Sequence, residues 1–301
     1  MLRIERILCP VDFSESSVIA CDYAQLLAWH YHAKLYLQHA VDFILPPYAY
    51  YAPASYLADT LQELRADAQK ELEKFVKTHA RNGVQPECLV HEGDAMYAIL
   101  TFAEEQMVDL IVMGTHGRKG FDRATLGSVA DKVLRKARCP VLVVRKPGPD
   151  RVAPEGAQSL VELRKIIFCT DFSAPSHRAL DYALSAAAEF DAELTLLHVL
   201  ENLPNAANIE EEITSATKQL EKLIPSEGVK PGKIKTLVRI GTAYQQIIEL
   251  ALETKADLVI MAVRGRNALD LAVFGSTTYR VIQLGPCPVL AVRVLKAEEA
   301  P

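Results

Sequence analysis

Hydrophobic and polar residues alternate along this chain with two different periods. In the first half, short apolar runs rich in β-branched residues predict buried strands. Longer stretches between them space their apolar residues three and four apart, which predicts helices with one buried face. The predicted strands are Ile4–Val11, Lys34–Val41, Gln85–His91, Asp109–Met113 and Val141–Arg145, and the predicted helices are Ser14–Tyr31, Asp59–Arg81, Asp94–Gln106 and Ser128–Arg138. This alternation predicts a parallel sheet covered by helices.

The second half of the chain, from Lys165, repeats the same order of elements. The segment ILCPVDFSESS from Ile7 matches IIFCTDFSAPS from Ile166, and further matches continue to the last apolar run of each half. We therefore expect an α/β protein with two tandem doubly wound domains, residues 1–147 and 161–301, each a five-stranded parallel sheet flanked by helices. Residues 148–160, in a segment rich in proline and glycine, form the predicted linker.

The first half is longer than the second in one place, between Val41 and Gly93. The additional residues lie in the segment DFILPPYAYYAPASYLAD, which carries several tyrosines. A segment of this kind can be a lid, a surface for a partner or a plain surface excursion, and the sequence leaves these readings open.

Composition excludes several classes of function. The formal net charge of −5 lacks the positive field that long-range capture of nucleic acid requires. The start of the chain has no cleavable leader pattern and no run of about 18 apolar residues occurs, so we expect a cytoplasmic protein without a membrane or nucleic-acid partner. The six cysteines form no Cys-x-x-Cys pair, and we interpret them as reduced core residues without a metal.

Candidate chemistry lies where the first and fourth predicted strands end. Asp12 ends the first strand, and Gly114, Gly117 and Gly127 follow the fourth in the pattern G-x-x-G-x9-G-S, which is neither a Walker A loop nor a dinucleotide-binding fingerprint. Glycines at these positions allow backbone N–H groups to approach phosphate oxygens. The sequence also predicts that Ser128 begins a helix with a Ser128-x-x-Asp131 capping box.

With the aspartate and the glycine pattern together, the chain resembles a tandem protein of the universal stress protein family, of the ATP-binding type. The resemblance covers nearly the whole chain and implies the strand order 3-2-1-4-5 in each domain. It implies that Asp12 contacts adenosine, that backbone groups of Val41 read the adenine edge, and that Gly114 lies against the ribose and phosphates. The residues implied to hold the triphosphate, commonly with Mg²⁺, are Gly117, Gly127 and Ser128, and Arg118 either adds charge there or is solvated surface.

The second half keeps most of the pattern but has Ala262 where the first glycine is expected. The matching candidates for nucleotide contact there are Asp171, Val199, Gly265, Gly275 and Ser276. An alanine costs about 1–2 kcal/mol in a left-handed conformation and little in an ordinary strand end. The loop also loses basic side chains, so the hypothesis is that the first domain holds the nucleotide and the second is weak or empty.

Two other functions remain open at this stage, and no catalytic residue is assigned. One is a slow ATPase or a nucleotidyl or phosphoryl transferase with a second substrate, in which His116 or Asp122 would act. The other is a ligand-free scaffold, because the family resemblance implies that the last strand pairs across a dimer axis. Duplication would then create an internal pseudo-dimer, and tandem chains are expected to pair again as a homodimer. His39 and His198 are interpreted as hydrogen-bonded structural residues.

Overall fold

The computed structural model describes most of the chain as two compact units. The described residues are 3–41, 54–80, 83–115, 126–145, 163–201, 208–225, 232–263 and 275–293. The amino-terminal unit is built from Arg3–Asp122 and Leu126–Cys139, and the carboxyl-terminal unit mainly from Pro140–Pro301. The predicted linker lies outside the described residues, so the domain limits stay a prediction.

Four parallel strands form the sheet of the amino-terminal unit, in the order β3-β2-β1-β4. They are β1 (Arg6–Pro10), β2 (Lys34–Val41), β3 (Glu87–Glu92) and β4 (Leu110–Gly114). Apolar side chains on both faces of the central strands are buried, as a sheet with helices on both sides requires. The most deeply buried include Ile7, Leu8, Leu35, Leu37 and Ile111.

Two of the four helices of this unit begin at short polar side chains that cap them. They are α1 (Glu15–Tyr31), α2 (Ala54–His79), α3 (Ala95–Glu105) and α4 (Ser128–Lys136). The Ser14 side chain accepts a hydrogen bond from the backbone N–H of Ser17 at the start of α1, and Asp94 caps α3 in the same way. These caps fix the first turn of each helix against the strand that precedes it.

The carboxyl-terminal unit repeats this architecture and adds one strand. Its strands are β5 (Val141–Val144), β6 (Lys165–Cys169), β7 (Glu193–Leu200), β8 (Ile234–Ile240), β9 (Leu258–Ala262) and β10 (Val289–Val292), in the order β5-β10-β9-β6-β7-β8. Its helices are α5 (Ala174–Glu189), α6 (Ile209–Glu221), α7 (Ala243–Thr254) and α8 (Ser276–Leu284). The strand β5 runs antiparallel to β10, with Leu142 opposite Leu290.

The predicted strand order 3-2-1-4-5 is confirmed for the first repeat. The second repeat has the same order when β6 to β10 are counted as its five strands. The last strands of the two repeats pair with each other within one chain, as expected for an internal pseudo-dimer.

Most predicted boundaries differ from the structure by one or two residues, and two elements show the reason. The helix α2 begins at Ala54 and not at Asp59, because its first turns are largely exposed and carry no regular apolar spacing. The strand β3 covers Glu87–Glu92 and not Gln85–His91, since its ends are charged and only its centre is buried. The six cysteines are free, as expected. Among the described helices, none combines the length and the apolar character needed to cross a membrane.

Candidate nucleotide site

Asp12 and Gly114 lie at the same edge of the sheet because β1 and β4 are neighbours. Their register pairs Leu8 with Ile111. Continuing this register along both parallel strands places Asp12 level with Thr115, the residue after Gly114. The adjacency of the first and fourth strands, on which the predicted crevice depends, is therefore confirmed, and the crevice lies beyond the carboxyl ends of these strands.

The Asp12 carboxylate has a defined orientation. Its Oδ1 atom accepts hydrogen bonds from the backbone N–H of Ser14 at 3.1 Å and from the Ser14 hydroxyl at 2.6 Å. The same hydroxyl oxygen accepts from Ser17 N–H at 3.2 Å and so caps α1. The end of β1, the aspartate and the start of α1 thus form one hydrogen-bonded turn.

Phe13 within this turn is a functional candidate that the sequence did not indicate. Its φ angle of 62° lies in the left-handed region, which a bulky side chain rarely adopts. Its ring packs on His39 with 4.5 Å between ring centroids, and His39 Nδ1 lies 2.7 Å from the carbonyl oxygen of Val11. The prediction of a structural histidine is confirmed here, and the stack holds the strained turn that presents Asp12.

The second repeat contains the same turn in nearly the same geometry. Ser173 bonds to Asp171 Oδ1 through its N–H at 3.0 Å and through its hydroxyl at 2.6 Å. Phe172 has a φ angle of 60° and packs on His198 at 4.4 Å. His198 Nδ1 lies 2.8 Å from the carbonyl oxygen of Thr170, which confirms its predicted structural role. The two repeats therefore present equivalent aspartates.

Gly114 is required by the packing of α1 on β4. A β-carbon added there would lie 2.3 Å from Ser16 Oγ and 2.9 Å from the backbone carbonyl carbon of Ser16. Real side chains do not approach so closely, and the backbone atom cannot rotate away. This glycine was predicted from its approach to a ligand, but the space that its β-carbon would occupy is filled by Ser16 at the start of α1.

Ala262 is accommodated without backbone strain. It lies in β9 and is not among the described non-glycine residues with positive φ. Pro175 takes the place of Ser16 in the second repeat. Of the two conformations considered for this alanine, the ordinary strand end applies, so the substitution alone gives no reason to exclude a ligand from the second repeat.

The start of α4 offers backbone N–H groups at the crevice. Gly127 is the N-cap residue, and its N–H donates to the Thr115 carbonyl at 2.8 Å. Ser128 is the first helical residue, as predicted. The predicted capping box is wrong because Gly127 is the N-cap residue and no side chain caps the helix, while Asp131 accepts from Arg135 Nε at 3.0 Å. Glycine has no side chain with which to cap the helix, so its first amides can bind an anion.

The second repeat begins α8 in the same way, with one added bond. Gly275 is the N-cap residue before Ser276, and its N–H donates to the Val263 carbonyl at 3.0 Å. In addition, the hydroxyl of Thr278 donates to the Ala262 carbonyl at 3.0 Å, in a buried position. This side-chain bond connects the first turn of α8 to the end of β9.

The peptide groups of Val41, the predicted contact for the adenine edge, do not face the first strand. In parallel strands the peptide groups of successive residues point to opposite neighbours. Val11 N–H donates to Gln38 O, which directs Gln38 and therefore Ala40 toward β1, whereas Gly93 N–H donates to Val41 O, which directs Val41 toward β3. The peptide groups that face the first strand near the crevice belong to Ala40.

The second repeat supports the same assignment. Gly241 N–H donates to Leu200 O at 3.0 Å, so Leu200 is the structural equivalent of Val41. Val199, the predicted second-repeat contact, is instead equivalent to Ala40, because both residues follow the structural histidine of the second strand. Val41 and Val199 were therefore paired one residue out of register.

Several predicted residues lie outside the part of the chain that the structure describes. These are Gly117, Arg118 and Gly265, together with His116, Asp122 and residues 42–53 of the tyrosine-rich segment. Among the residues that are described, no group of three or more His, Cys, Asp or Glu side chains could hold a metal ion.

Comparisons with known proteins agree with the repeat and the fold. The model of the universal stress protein family matches residues 3–145 and 162–293. Universal stress protein MJ0531 of Methanocaldococcus jannaschii is 38% identical over 144 residues, which are 48% of this chain and 83% of that protein. Universal stress protein YxiE of Bacillus subtilis is 33% identical over 145 residues, 46% of this chain and 98% of that protein.

A solved structure that matches most of the chain shows the same fold. A universal stress protein from Archaeoglobus fulgidus covers 96% of this chain and is itself covered to 96%, with a TM-score of 0.66 and 22% sequence identity. At this level of identity the likeness concerns the fold alone.

Proposed function

Because the chain belongs to the universal stress protein family, we propose that it is a regulatory stress-response protein that binds ATP in its first repeat. One arrangement carries the proposal. The oriented carboxylate of Asp12 lies beside the end of β4, where the Gly127 N–H bonds to Thr115 and leads into the first turn of α4. An acidic acceptor and a helix start are thus placed at one switch point, an arrangement suited to a nucleotide.

The nucleoside part would be held at the β1 side of the crevice. Asp12 would accept hydrogen bonds from the adenosine, with its carboxylate fixed by Ser14. Backbone groups of Ala40 would read the adenine edge, in place of the Val41 contact predicted from the sequence. Hydrogen bonds to base edges of this kind give specificity, since an unmatched polar group would be left unpaired.

The phosphates would be held at the β4 side of the crevice. The N–H groups in the first turn of α4, beginning with that of Ser128, would meet phosphate oxygens, together with Gly117 and Arg118 of the preceding loop. Gly127, whose own N–H bonds to Thr115, would let the phosphates approach the backbone because it has no side chain. Mg²⁺ fits this donor set, because it usually binds through substrate phosphates, waters and few protein ligands. When bound, it would neutralise phosphate charge.

The second repeat would bind nucleotide more weakly. Its candidates are Asp171, Val199, Gly265, Gly275 and Ser276, which keep the acidic acceptor and the helix start. The difference would lie in loop side chains and in the contacts of α8, since Ala262 has an unstrained backbone.

A scaffold function is the second candidate, favoured by one observation. The antiparallel pairing of β5 with β10 forms backbone hydrogen bonds within one chain between two strands that would otherwise remain sheet edges. Pairing of the repeats would then be the function, and a homodimer of tandem chains would use another surface. In either case we place the protein in the cytoplasm, without a nucleic-acid partner.

Mass spectrometry of small molecules released from freshly purified protein tests the proposal. The proposal is supported by release of adenine nucleotide, or by a titration that gives a dissociation constant for ATP below the millimolar range. A chain that releases no nucleotide and has no affinity at millimolar ATP is a scaffold. Sustained turnover that disappears on replacing His116 or Asp122 would favour the enzyme instead.

A further inference from the structure

Thr278 distinguishes the two repeats at the point where the fourth strand meets the following helix. Its hydroxyl donates to the Ala262 carbonyl oxygen at 3.0 Å, and both residues are buried. The same hydroxyl oxygen lies 3.6 Å from the position that a β-carbon on Gly275 would occupy, so it is beside the N-cap residue of α8.

The Ala262 carbonyl points toward the candidate crevice. Val263 N–H donates to Val292 O, so the peptide groups of Val263 face β10. The peptide groups of Ala262, one residue earlier, must then face β6, which ends at Cys169. Beyond that end, the space between the two strands is the switch point at which a ligand of this fold binds.

The first repeat lacks this side-chain donor. Ala130 occupies the position of Thr278, and its methyl group cannot donate a hydrogen bond. The equivalent acceptor is the carbonyl of Gly114, which faces β1 for the same geometric reason. A hydroxyl group of a bound sugar can therefore use the Gly114 carbonyl without competition from residue 130.

We propose that Thr278 is a specificity-determining residue that weakens nucleotide binding in the second repeat. Its hydroxyl occupies one of the two lone-pair positions of the Ala262 carbonyl and so competes for this acceptor with the sugar hydroxyl of a nucleotide. The proposal rests on the proposed function, since it explains why the two repeats differ in affinity. One net hydrogen bond changes a binding constant by up to about tenfold, which is enough to separate two otherwise similar sites.

The experiment uses the full chain carrying Asp12→Asn, and the ATP binding in this background that is lost on adding Asp171→Asn reports the second repeat. In this background, Thr278→Ala should raise the affinity for ATP about five- to tenfold, equivalent to about 1–1.4 kcal/mol. Thr278→Ser keeps the donor and should leave the affinity low. Thermal unfolding of each variant checks that the fold is retained.

The reciprocal change tests the same claim in the first repeat. Ala130→Thr in the otherwise unchanged chain should lower ATP affinity about five- to tenfold. Two results would overturn the role of the hydroxyl without affecting the claim that the chain binds ATP. One is an unchanged ATP affinity in both Ala130→Thr and Thr278→Ala, and the other is a gain of affinity in Thr278→Ser that equals the gain in Thr278→Ala. Loss of all ATP binding by the unmodified chain would instead overturn the proposed function, and this proposal with it.

Discussion

A β-carbon on Gly114 would lie 2.3 Å from Ser16 Oγ, so the fourth strand and the first helix of the amino-terminal unit are packed in contact at a glycine. The replacement Gly114→Ala should therefore destabilise the protein by about 1–3 kcal/mol through overpacking. Urea unfolding measures this change.

The matched control is Ala262→Gly, which removes a methyl group from an unstrained strand position and should change stability by less than about 1 kcal/mol. If Gly114→Ala unfolds at the same urea concentration as the unmodified protein, the packing explanation is wrong. Because the variant is expected to lose stability, a loss of nucleotide affinity in it would not by itself identify a ligand contact.

The left-handed conformation of Phe13 predicts an unusual preference for glycine. Replacing Phe13 by Ala or by Gly removes the same ring contacts with His39, but only glycine adopts the turn without strain. The Gly variant should thus be more stable than the Ala variant by about 1 kcal/mol in chemical unfolding. At Phe168, inside β6, the Ala variant should instead be more stable than the Gly variant. If the same replacement is the more stable one at both positions, the assignment of strain at Phe13 is contradicted.

The sequence predicted the parts of the structure that depend on local periodicity. Strand and helix alternation and the repeat follow from apolar spacing. The adjacency of the strands that carry Asp12 and Gly114 was implied by the family resemblance and not by this spacing. The role of Gly114 could not be predicted, because it depends on how closely α1 approaches β4. Val41 was misassigned because a shift of one residue reverses the direction of a strand's peptide groups. Phe13 gave no signal because its side chain does not favour a positive φ.

The Arg145 side chain forms hydrogen bonds that should stabilise the end of α8. Its Nη1 atom donates to the carbonyl oxygens of Gln283 at 2.6 Å and of Gly285 at 3.1 Å, which caps the helix within the carboxyl-terminal unit. Arg145→Ala should lower stability by about 1.5 kcal/mol and speed amide exchange at the end of α8. Arg138→Ala, which removes an exposed ion pair with Glu104, should change stability by less than about 1 kcal/mol. Equal effects of the two replacements would refute the cap.

The free energy of unfolding should fall at alkaline pH because the Cys139 thiol is buried in the folded protein. Desolvation raises the pKa of this thiol from 9.0 to about 12 in the folded protein. The Cys139 thiol therefore loses its proton at a lower pH in the unfolded chain than in the folded protein. Its contribution to the free energy of unfolding is fully present below pH 9 and is lost as the pH rises toward 12. Between pH 8 and about 10.5 this thiol should account for about 2 kcal/mol of lost stability.

The measurement is urea unfolding of the unmodified protein and of Cys139→Ala at the two pH values. The unmodified protein should lose more stability than the variant, because other thiols and tyrosines titrate in both. An identical loss in the two proteins would show that the Cys139 thiol is not shielded from solvent.

The central claim is that ATP binds at the first repeat with Asp12 as an acceptor, and matched calorimetric titrations of Asp12→Asn and Asp171→Asn test it most directly. Each replacement keeps a side-chain oxygen for its capping serine, Ser14 or Ser173, so both turns should be retained. We predict that Asp12→Asn weakens ATP binding by about tenfold or more, equivalent to about 1.4 kcal/mol, and that Asp171→Asn leaves the main binding event unchanged. Equal weakening by both replacements, or unchanged affinity in Asp12→Asn, would contradict the claim.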